Sequence, residues 1–276
     1  TGPAHLPWHR MSNIDRWQGP LPEEWIDGQL ALQQRILARE RELGMKPVLP
    51  AFAGHVPQEL KRLHPDARIT RVSYWGGFDD RYRCSFLDPM DPLFAVIQRE
   101  FLTEQTRLFG TGHIYGADPF NEIDAPTWDP ETLAGMSRHI YESMAEVDPE
   151  AVWLQMGWLF YADPTHWTAK NIRAFLGAVP QDRLLMLDYF CEFTEIWKQT
   201  EKFHGQPYLW CYLGNFGGNT MLSGNFHTVS ARMEDAFAHG GDNLRGVGST
   251  LEGFGVNQFM YEFVLDKAWN TGIADD

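Results

Sequence analysis

Six short apolar runs recur along the chain with stretches of helical spacing between them, and this alternation constrains the fold more than any other feature. The runs are 45–52 (MKPVLPAF), 113–120 (HIYGADPF), 151–158 (AVWLQMGW), 183–190 (RLLMLDYF), 207–213 (PYLWCYL) and 244–253 (LRGVGSTLEG). They are continuously apolar rather than alternating, as expected of strands covered on both faces of a sheet. Helices are predicted over 28–43, 92–109, 130–147, 165–178, 193–199, 227–239 and 256–268. In the first, Leu30, Leu32, Ile36, Leu37 and Leu43 fall near helical spacing, and Gly44 follows where a C-cap belongs. Asp129 ahead of Pro130 reads as an N-cap with proline at the first helical position. Strands alternating with helices imply βα units and a mainly parallel sheet.

Each run ends in polar or small residues: AFAGH, DPFNEID, MGW, DYFCE, LGNFGGN and STLEG. Chemistry gathered at the C-terminal ends of successive strands is the layout of a (β/α)8 TIM-type barrel. A doubly wound sheet would call for a Gly-rich phosphate loop after a first strand, and the chain has none. A closed barrel needs eight strands. Residues 1–27, rich in Pro, Trp and polar side chains, do not supply the missing two. The expectation is a single catalytic-type domain, 1–276, forming an incomplete barrel of about six βα units with its N-terminal strands missing. Open strand edges invite aggregation, so these residues expressed alone are expected to be poorly soluble or inactive.

Charge and composition exclude several functions. With 23 Lys+Arg against 37 Asp+Glu, a formal charge of −14, the chain has no basic stripe to neutralise phosphates, so no nucleic-acid partner is expected. No apolar run approaches the roughly 20 residues of a membrane helix, and the opening residues carry no signal-peptide pattern. Three widely spaced cysteines, Cys84, Cys191 and Cys211, encode neither a disulfide framework nor a zinc cluster and read as inert core. The surplus is aromatic: 11 Trp, 9 Tyr and 18 Phe, which fits a core and also platforms for sugar rings.

Two carboxylates stand out by position. Glu122 follows Asn121 just past one strand, and Glu252 closes the last strand. Glycoside hydrolysis needs such a pair, one to protonate the leaving oxygen and one to attack or to activate water. A lone Glu at such a point reads more simply as a helix first-turn residue or a loop salt bridge. Two at barrel strand ends, amid aromatic loops, favour catalysis. Asn121 offers an amide for a sugar hydroxyl beside Glu122. Trp158 ends a strand, Trp210 and Tyr212 flank Cys211 in another, and Trp75 and Phe78 lie in the loop 73–86. Trp153 and Trp210 are mid-strand and are first choices for core, whereas Trp158 is the better sugar platform. Asn215-Phe216-Gly217-Gly218-Asn219 directly follows a strand and offers amides with glycines for close approach. His55, near another strand, is counted with Asn121, Trp158, Asn215, Trp210 and Tyr212 as a sugar-binding candidate, whereas His113 falls at a strand start, on the wrong face. Asp118, Glu122, Asp188, Glu192 and His55 could be combined into a metal site, but no compact ligand spacing demands one, and no cofactor is expected.

With these residues in view, the sequence resembles the catalytic barrel of the α-N-acetylglucosaminidase family, glycoside hydrolase family 89. The matching stretches are 1–11 (TGPAHLPWHRM), 44–57 (GMKPVLPAFAGHVP), 113–122 (HIYGADPFNE), 151–160 (AVWLQMGWLF), 206–219 (QPYLWCYLGNFGGN) and 251–253 (LEG), in family order over nearly the whole chain. The resemblance implies a retaining exo-glycosidase releasing terminal α-linked N-acetylglucosamine through a covalent glycosyl-enzyme. Glu122 would be its acid/base, Glu252 its nucleophile and Trp158 a tryptophan near the sugar. It also implies flanking N-terminal β-rich and C-terminal helical domains, and a secreted, periplasmic or lysosomal setting. Gly214 stands where the family has a larger residue, and Gln258 where some members carry Glu. The readings that compete are a catalytically silent carbohydrate-binding barrel and a metal-dependent sugar-converting barrel enzyme. The natural glycan, heparan-type or mucin-type, is left open, although a −14 chain does not attract an anionic one at long range.

Overall fold

The computed structural model describes residues 22–74, 77–80, 83–217, 224–253 and 255–270. The stretch 1–11, Trp75, Gly218 and Asn219, all singled out above, lie outside them. The chain divides into two compact units, Thr1–Trp153 and Leu154–Asp276.

In the first unit, α1 (Glu23–Glu42) carries acids in its first turn and arginines in its last, in the sense the helix dipole favours. Only Leu37 of its apolar residues is buried; Leu32 and Ile36 are exposed, so the anticipated apolar stripe is not a core face among the described residues. Strand β1 (Val48–Pro50) pairs in parallel with β5 (Ile114–Gly116). Between them lies a feature that periodicity did not anticipate, an antiparallel sheet of β2 (His55–Val56), β3 (Ile69–Arg71) and β4 (Ser85–Leu87), with a short helix α2 (Leu60–Leu63). Strands of two or three residues are too short to show a period. Helix α3 (Pro92–Phe109) is N-capped by Asp91, whose carboxylate accepts from Leu93 N. Buried Gln98 on α3 accepts from Phe52 N at 2.8 Å and so pins the end of β1. Helix α4 (Pro130–Ala145) starts as expected, with Asp129 accepting from Thr132 N and Pro130 at the first position. His113 sits at the foot of β5 and contacts Asp148 at 2.8 Å, which holds it at the strand start. The first residue of β6 (Val152–Met156) donates to His113 O, giving the strand order β1–β5–β6.

In the second unit the parallel order is β6–β7–β8–β9, with β7 (Leu184–Asp188), β8 (Tyr208–Tyr212) and β9 (Leu244–Ser249). Helices α5 (Trp158–Ala162), α6 (Ala169–Gly177), α7 (Ile196–Gln199), α8 (Phe226–His239) and α9 (Gln258–Trp269) follow or separate the strands. Thr168 and Asn225 cap α6 and α8 through their side chains. The strands bury Trp210, Tyr208, Met186 and Leu184 completely. Trp153, in the first unit, is equally buried, so both tryptophans first assigned to core are there. Trp158 does not end a strand: β6 stops at Met156, Gly157 turns the chain, and Trp158 opens α5.

Parallel strands alternating with helices make this a partial (β/α) barrel. Among the described residues β1 pairs only with β5, and β9 only with β8. No described helix is long and apolar enough to cross a membrane.

Gly54 is the tightest backbone requirement in the first unit. Its φ is +106°, and a Cβ there would lie 2.5 Å from Phe86 Cζ. Gly54→Ala is expected to lower stability by about 2 kcal/mol through strain and displacement of a buried ring. Urea melts read this, and a loss under about 0.5 kcal/mol, the scale of a neutral surface change, would contradict it.

Candidate active site

The second unit places its chemistry where β7, β8 and β9 end. Thr250, directly after β9, donates its N–H to Tyr212 O at 3.1 Å and its hydroxyl to Tyr189 O at 2.6 Å. One residue thereby ties three strand ends together. Two residues on, Glu252 is exposed, with a separate donor on each oxygen: Tyr189 Oη on Oε1 at 3.1 Å and Gly217 N on Oε2 at 2.6 Å. Charge-assisted hydrogen bonds of this kind fix a carboxylate in direction as well as place.

Aromatic rings surround this carboxylate's donor. Trp158 meets Tyr189 edge-on at 5.8 Å, Phe216 at 5.8 Å and Tyr161 at 4.9 Å. Phe190 meets Phe216 at 5.2 Å and stacks on Phe193 at 5.1 Å. A cavity of about 400 Å³ beside them is lined by Phe190, Glu192, Tyr212, Asn215 and Phe216.

Buried carboxylates organise the loops behind the rings. Glu192 accepts from Leu213 N and Gly214 N, the latter at 2.6 Å, and burial pushes its pKa up. Asp188 is fully buried and accepts from Ile196 N and Trp197 N at 3.1 and 3.0 Å. Desolvation pushes its pKa up to about 7, despite those two donors. Both acids singled out in sequence therefore shape loops. Asn215 is 3% exposed and donates to Gly255 O, joining the loop after β8 to the segment after Glu252. Gly214 has φ +83°, and a Cβ would meet Tyr212 at 3.1 Å and Tyr261 at 3.2 Å, so a larger residue there would displace two rings. Gln258 is an exposed first residue of α9, away from these contacts.

Trp210 is fully buried, and its indole N–H points to Glu195 at 3.3 Å, so it presents no face to a ligand. Tyr212 is 1% exposed, meets Tyr261 edge-on at 5.2 Å and reaches only the wall of the cavity. Cys191 and Cys211 are buried, and burial raises both thiols well above their usual range, consistent with inert core. Tyr189, which sequence reading passed over, is the direct partner of Glu252; its place one residue past β7 is the signal that could have marked it.

In the first unit, Glu122 is exposed and lies beyond β5 with φ +54°, a left-handed conformation that costs a non-glycine residue about 1 kcal/mol. The loop before it is fixed from below: Trp153 Nε1 donates to Ala117 O at 2.7 Å, and Phe120 packs on Phe86 at 5.8 Å. Asn121 Oδ1 is buried with no hydrogen-bond partner among the described residues. His55 lies in β2, edge-on to Phe86 at 5.3 Å, and burial lowers its pKa to about 4. It is a neutral imidazole at neutral pH.

The α-N-acetylglucosaminidase (NAGLU) TIM-barrel domain model matches residues 1–271. The chain belongs to the α-N-acetylglucosaminidase family. It is 47% identical to human α-N-acetylglucosaminidase over 277 aligned residues, covering all of this chain and 37% of the human protein. Among solved structures it is similar to a family 89 glycoside hydrolase from Clostridium perfringens in complex with 2-acetamido-1,2-dideoxynojirimycin, with 27% identity and a TM-score of 0.81, over 97% of this chain and 29% of that one. A form of the C. perfringens enzyme with two glutamates replaced by glutamine, in complex with its substrate GlcNAc-α-1,4-galactose, matches with a TM-score of 0.80. The family member described here thus spans well under half the length of these relatives.

The raised Asp188 pKa has a consequence for stability. An acid whose folded pKa exceeds its unfolded value near 3.8 stabilises fully below that value and loses this contribution as pH rises through about 7. The stability gap between wild type and Asp188→Asn is therefore expected to be widest near pH 4 and to narrow towards pH 7.5. Urea melts across this range measure it; a constant gap would contradict the assignment.

Proposed function

We propose that this chain is the catalytic barrel of a retaining exo-glycoside hydrolase that removes terminal α-linked N-acetylglucosamine from glycans. The observation that carries the reading is Glu252, held on both oxygens by Tyr189 and Gly217 at the end of a barrel strand, in a chain of the α-N-acetylglucosaminidase family. Glu252 is the nucleophile and Glu122 the acid/base. In the first step a Glu252 oxygen bonds to the anomeric carbon as the glycosidic C–O bond breaks, and the Glu122 proton passes to the departing oxygen. In the second, Glu122 takes a proton from water, whose oxygen bonds to the anomeric carbon as the ester to Glu252 breaks. Two inversions return the original configuration. Trp158, Asn121 and Asn215 contribute the surroundings of the sugar: an apolar ring face, an amide beside the acid, and a loop anchor. The C. perfringens relative, whose substrate complex carries two Glu-to-Gln replacements, supports a two-glutamate centre. No step calls for a metal or an organic cofactor.

In the full-length protein, Glu122→Gln and Glu252→Gln are each expected to lower kcat by several orders of magnitude on an aryl α-N-acetylglucosaminide. Azide added to Glu252→Ala is expected to restore turnover and give the glycosyl azide of inverted configuration. Near-wild-type activity of either glutamine variant would overturn the assignment.

Tyr189→Phe removes one donor from the nucleophile and leaves Gly217 in place. A hydrogen bond to a charged group is worth about 1.5–3 kcal/mol, so kcat is expected to fall roughly 10- to 100-fold with KM little changed. Steady-state kinetics on the same substrate would refute the role if KM, and not kcat, carried the loss.

A further inference from the structure

Glu192 lies in the loop after β7, where Cys191 N donates to Cys211 O at 3.0 Å and brings this loop against the end of β8. Its carboxylate receives the first two amides beyond β8: Leu213 N on Oε2 at 3.1 Å and Gly214 N on Oε1 at 2.6 Å. Burial opposes the ionised form and raises its pKa, while these amides and the positive charge of Arg232 on α8 favour it. An acid kept at that cost serves its partners, and its partners are the root of one loop.

Two successive peptide planes are gripped there on both edges. The first offers Tyr212 O to Thr250 N at 3.1 Å and Leu213 N to Glu192. The second accepts from Tyr261 Oη on Leu213 O at 2.6 Å and gives Gly214 N to Glu192. Glu192 is the grip common to both planes. Beyond them the chain turns through Gly214 and Gly217, both left-handed with φ +83° and +60°. Such a stretch has little conformational preference of its own, so its course depends on how its root is held. Asn215 Nδ2 pins its middle to Gly255 O at 3.0 Å. The loop then delivers Gly217 N to Glu252 Oε2 at 2.6 Å.

We propose that Glu192 is a positioning residue for glycoside cleavage: by fixing two successive peptides at the root of the β8 loop, it sets the direction from which Gly217 presents its N–H to Glu252. This rests on the hydrolase reading above, in which Glu252 is the nucleophile, and adds to it the residue that aims the nucleophile's backbone donor. Glu192 acts through the backbone from Gly214 to Gly217 rather than on the sugar.

Glu192→Leu removes the acceptor while filling much of its volume, whereas Glu192→Gln keeps an oxygen at Oε1, which already meets both amides. In the full-length protein, on an aryl α-N-acetylglucosaminide, Glu192→Leu is expected to lower kcat roughly tenfold with KM little changed. That is the scale of one misdirected charge-assisted hydrogen bond, and Glu192→Gln should restore most of it. A loss carried by KM, or shared equally by both variants, overturns the proposal. Tyr261→Phe frees the other edge of the second peptide and is expected to cost roughly threefold in kcat; an unchanged kcat counts against the mechanism. Azide-rescued turnover of Glu252→Ala isolates the route. With no carboxylate for Gly217 to meet, adding Glu192→Leu should leave that rate unchanged, and an equal fall there would show that Glu192 serves the fold alone. Crystal structures of the full-length protein judge placement without activity. Gly217 N should lie beyond about 3.5 Å from Glu252 Oε2 in Glu192→Leu and within hydrogen-bond reach in Glu192→Gln; an unchanged distance in Glu192→Leu overturns the role. Wild-type protein inert on the glycoside would sink the hydrolase reading separately, and the crystallographic comparison would still judge Glu192.

Discussion

The second unit depends on how the carbonyls at the C-terminal ends of its parallel strands are satisfied. A strand end leaves backbone acceptors beyond the last ladder bond, and these are costly unless something donates to them. Thr250 answers two at once, Tyr189 O through its hydroxyl and Tyr212 O through its amide. The positions of Tyr189, Tyr212 and Glu252 are thereby locked to the strand register, in which Asp188 pairs with Trp210 and Tyr212 with Ser249. A slip of one residue would turn every side chain to the other face and take Glu252 away from both donors. The geometry of the carboxylate is thus inherited from the sheet, with one threonine as the link.

Behind that point the unit gathers acids rather than bases. Glu192, Asp188 and Glu195 are buried or nearly so, and a buried carboxylate is tolerated only where donors meet it. Backbone amides serve Glu192 and Asp188, while Trp197 Nε1 and Lys198 serve Glu195. These acids order loops. Much of the aromatic surplus lies in the core, whereas Tyr161, Phe193 and Phe216 are open to water at these strand ends.

Much of this was legible in the chain. The runs at 183–190 and 207–213 became β7 and β8, and Asp129-Pro130 began a helix, because continuous apolar character and capping chemistry are local signals. The antiparallel sheet between β1 and α3 was illegible, since its strands hold two or three residues and their pairing is non-local. Trp210 and Tyr212 shared the aromatic character of a sugar platform, but a parallel strand covered on both faces buries both directions of its side chains. Tyr189 was passed over for the opposite reason: it fell inside the apolar run 183–190, and only the fold brings its hydroxyl to Glu252.

The proposed chemistry makes different demands on the two glutamates. A nucleophile acts in one ionisation state, so donors that suit a carboxylate can stay in place throughout; Glu252 has Tyr189 and Gly217. An acid/base residue gives up a proton and recovers it in each cycle, and a backbone conformation aims it without regard to charge. Glu122 has a left-handed φ of +54° on a loop secured by Trp153 and Phe120, which directs the side chain equally well with the proton on or off.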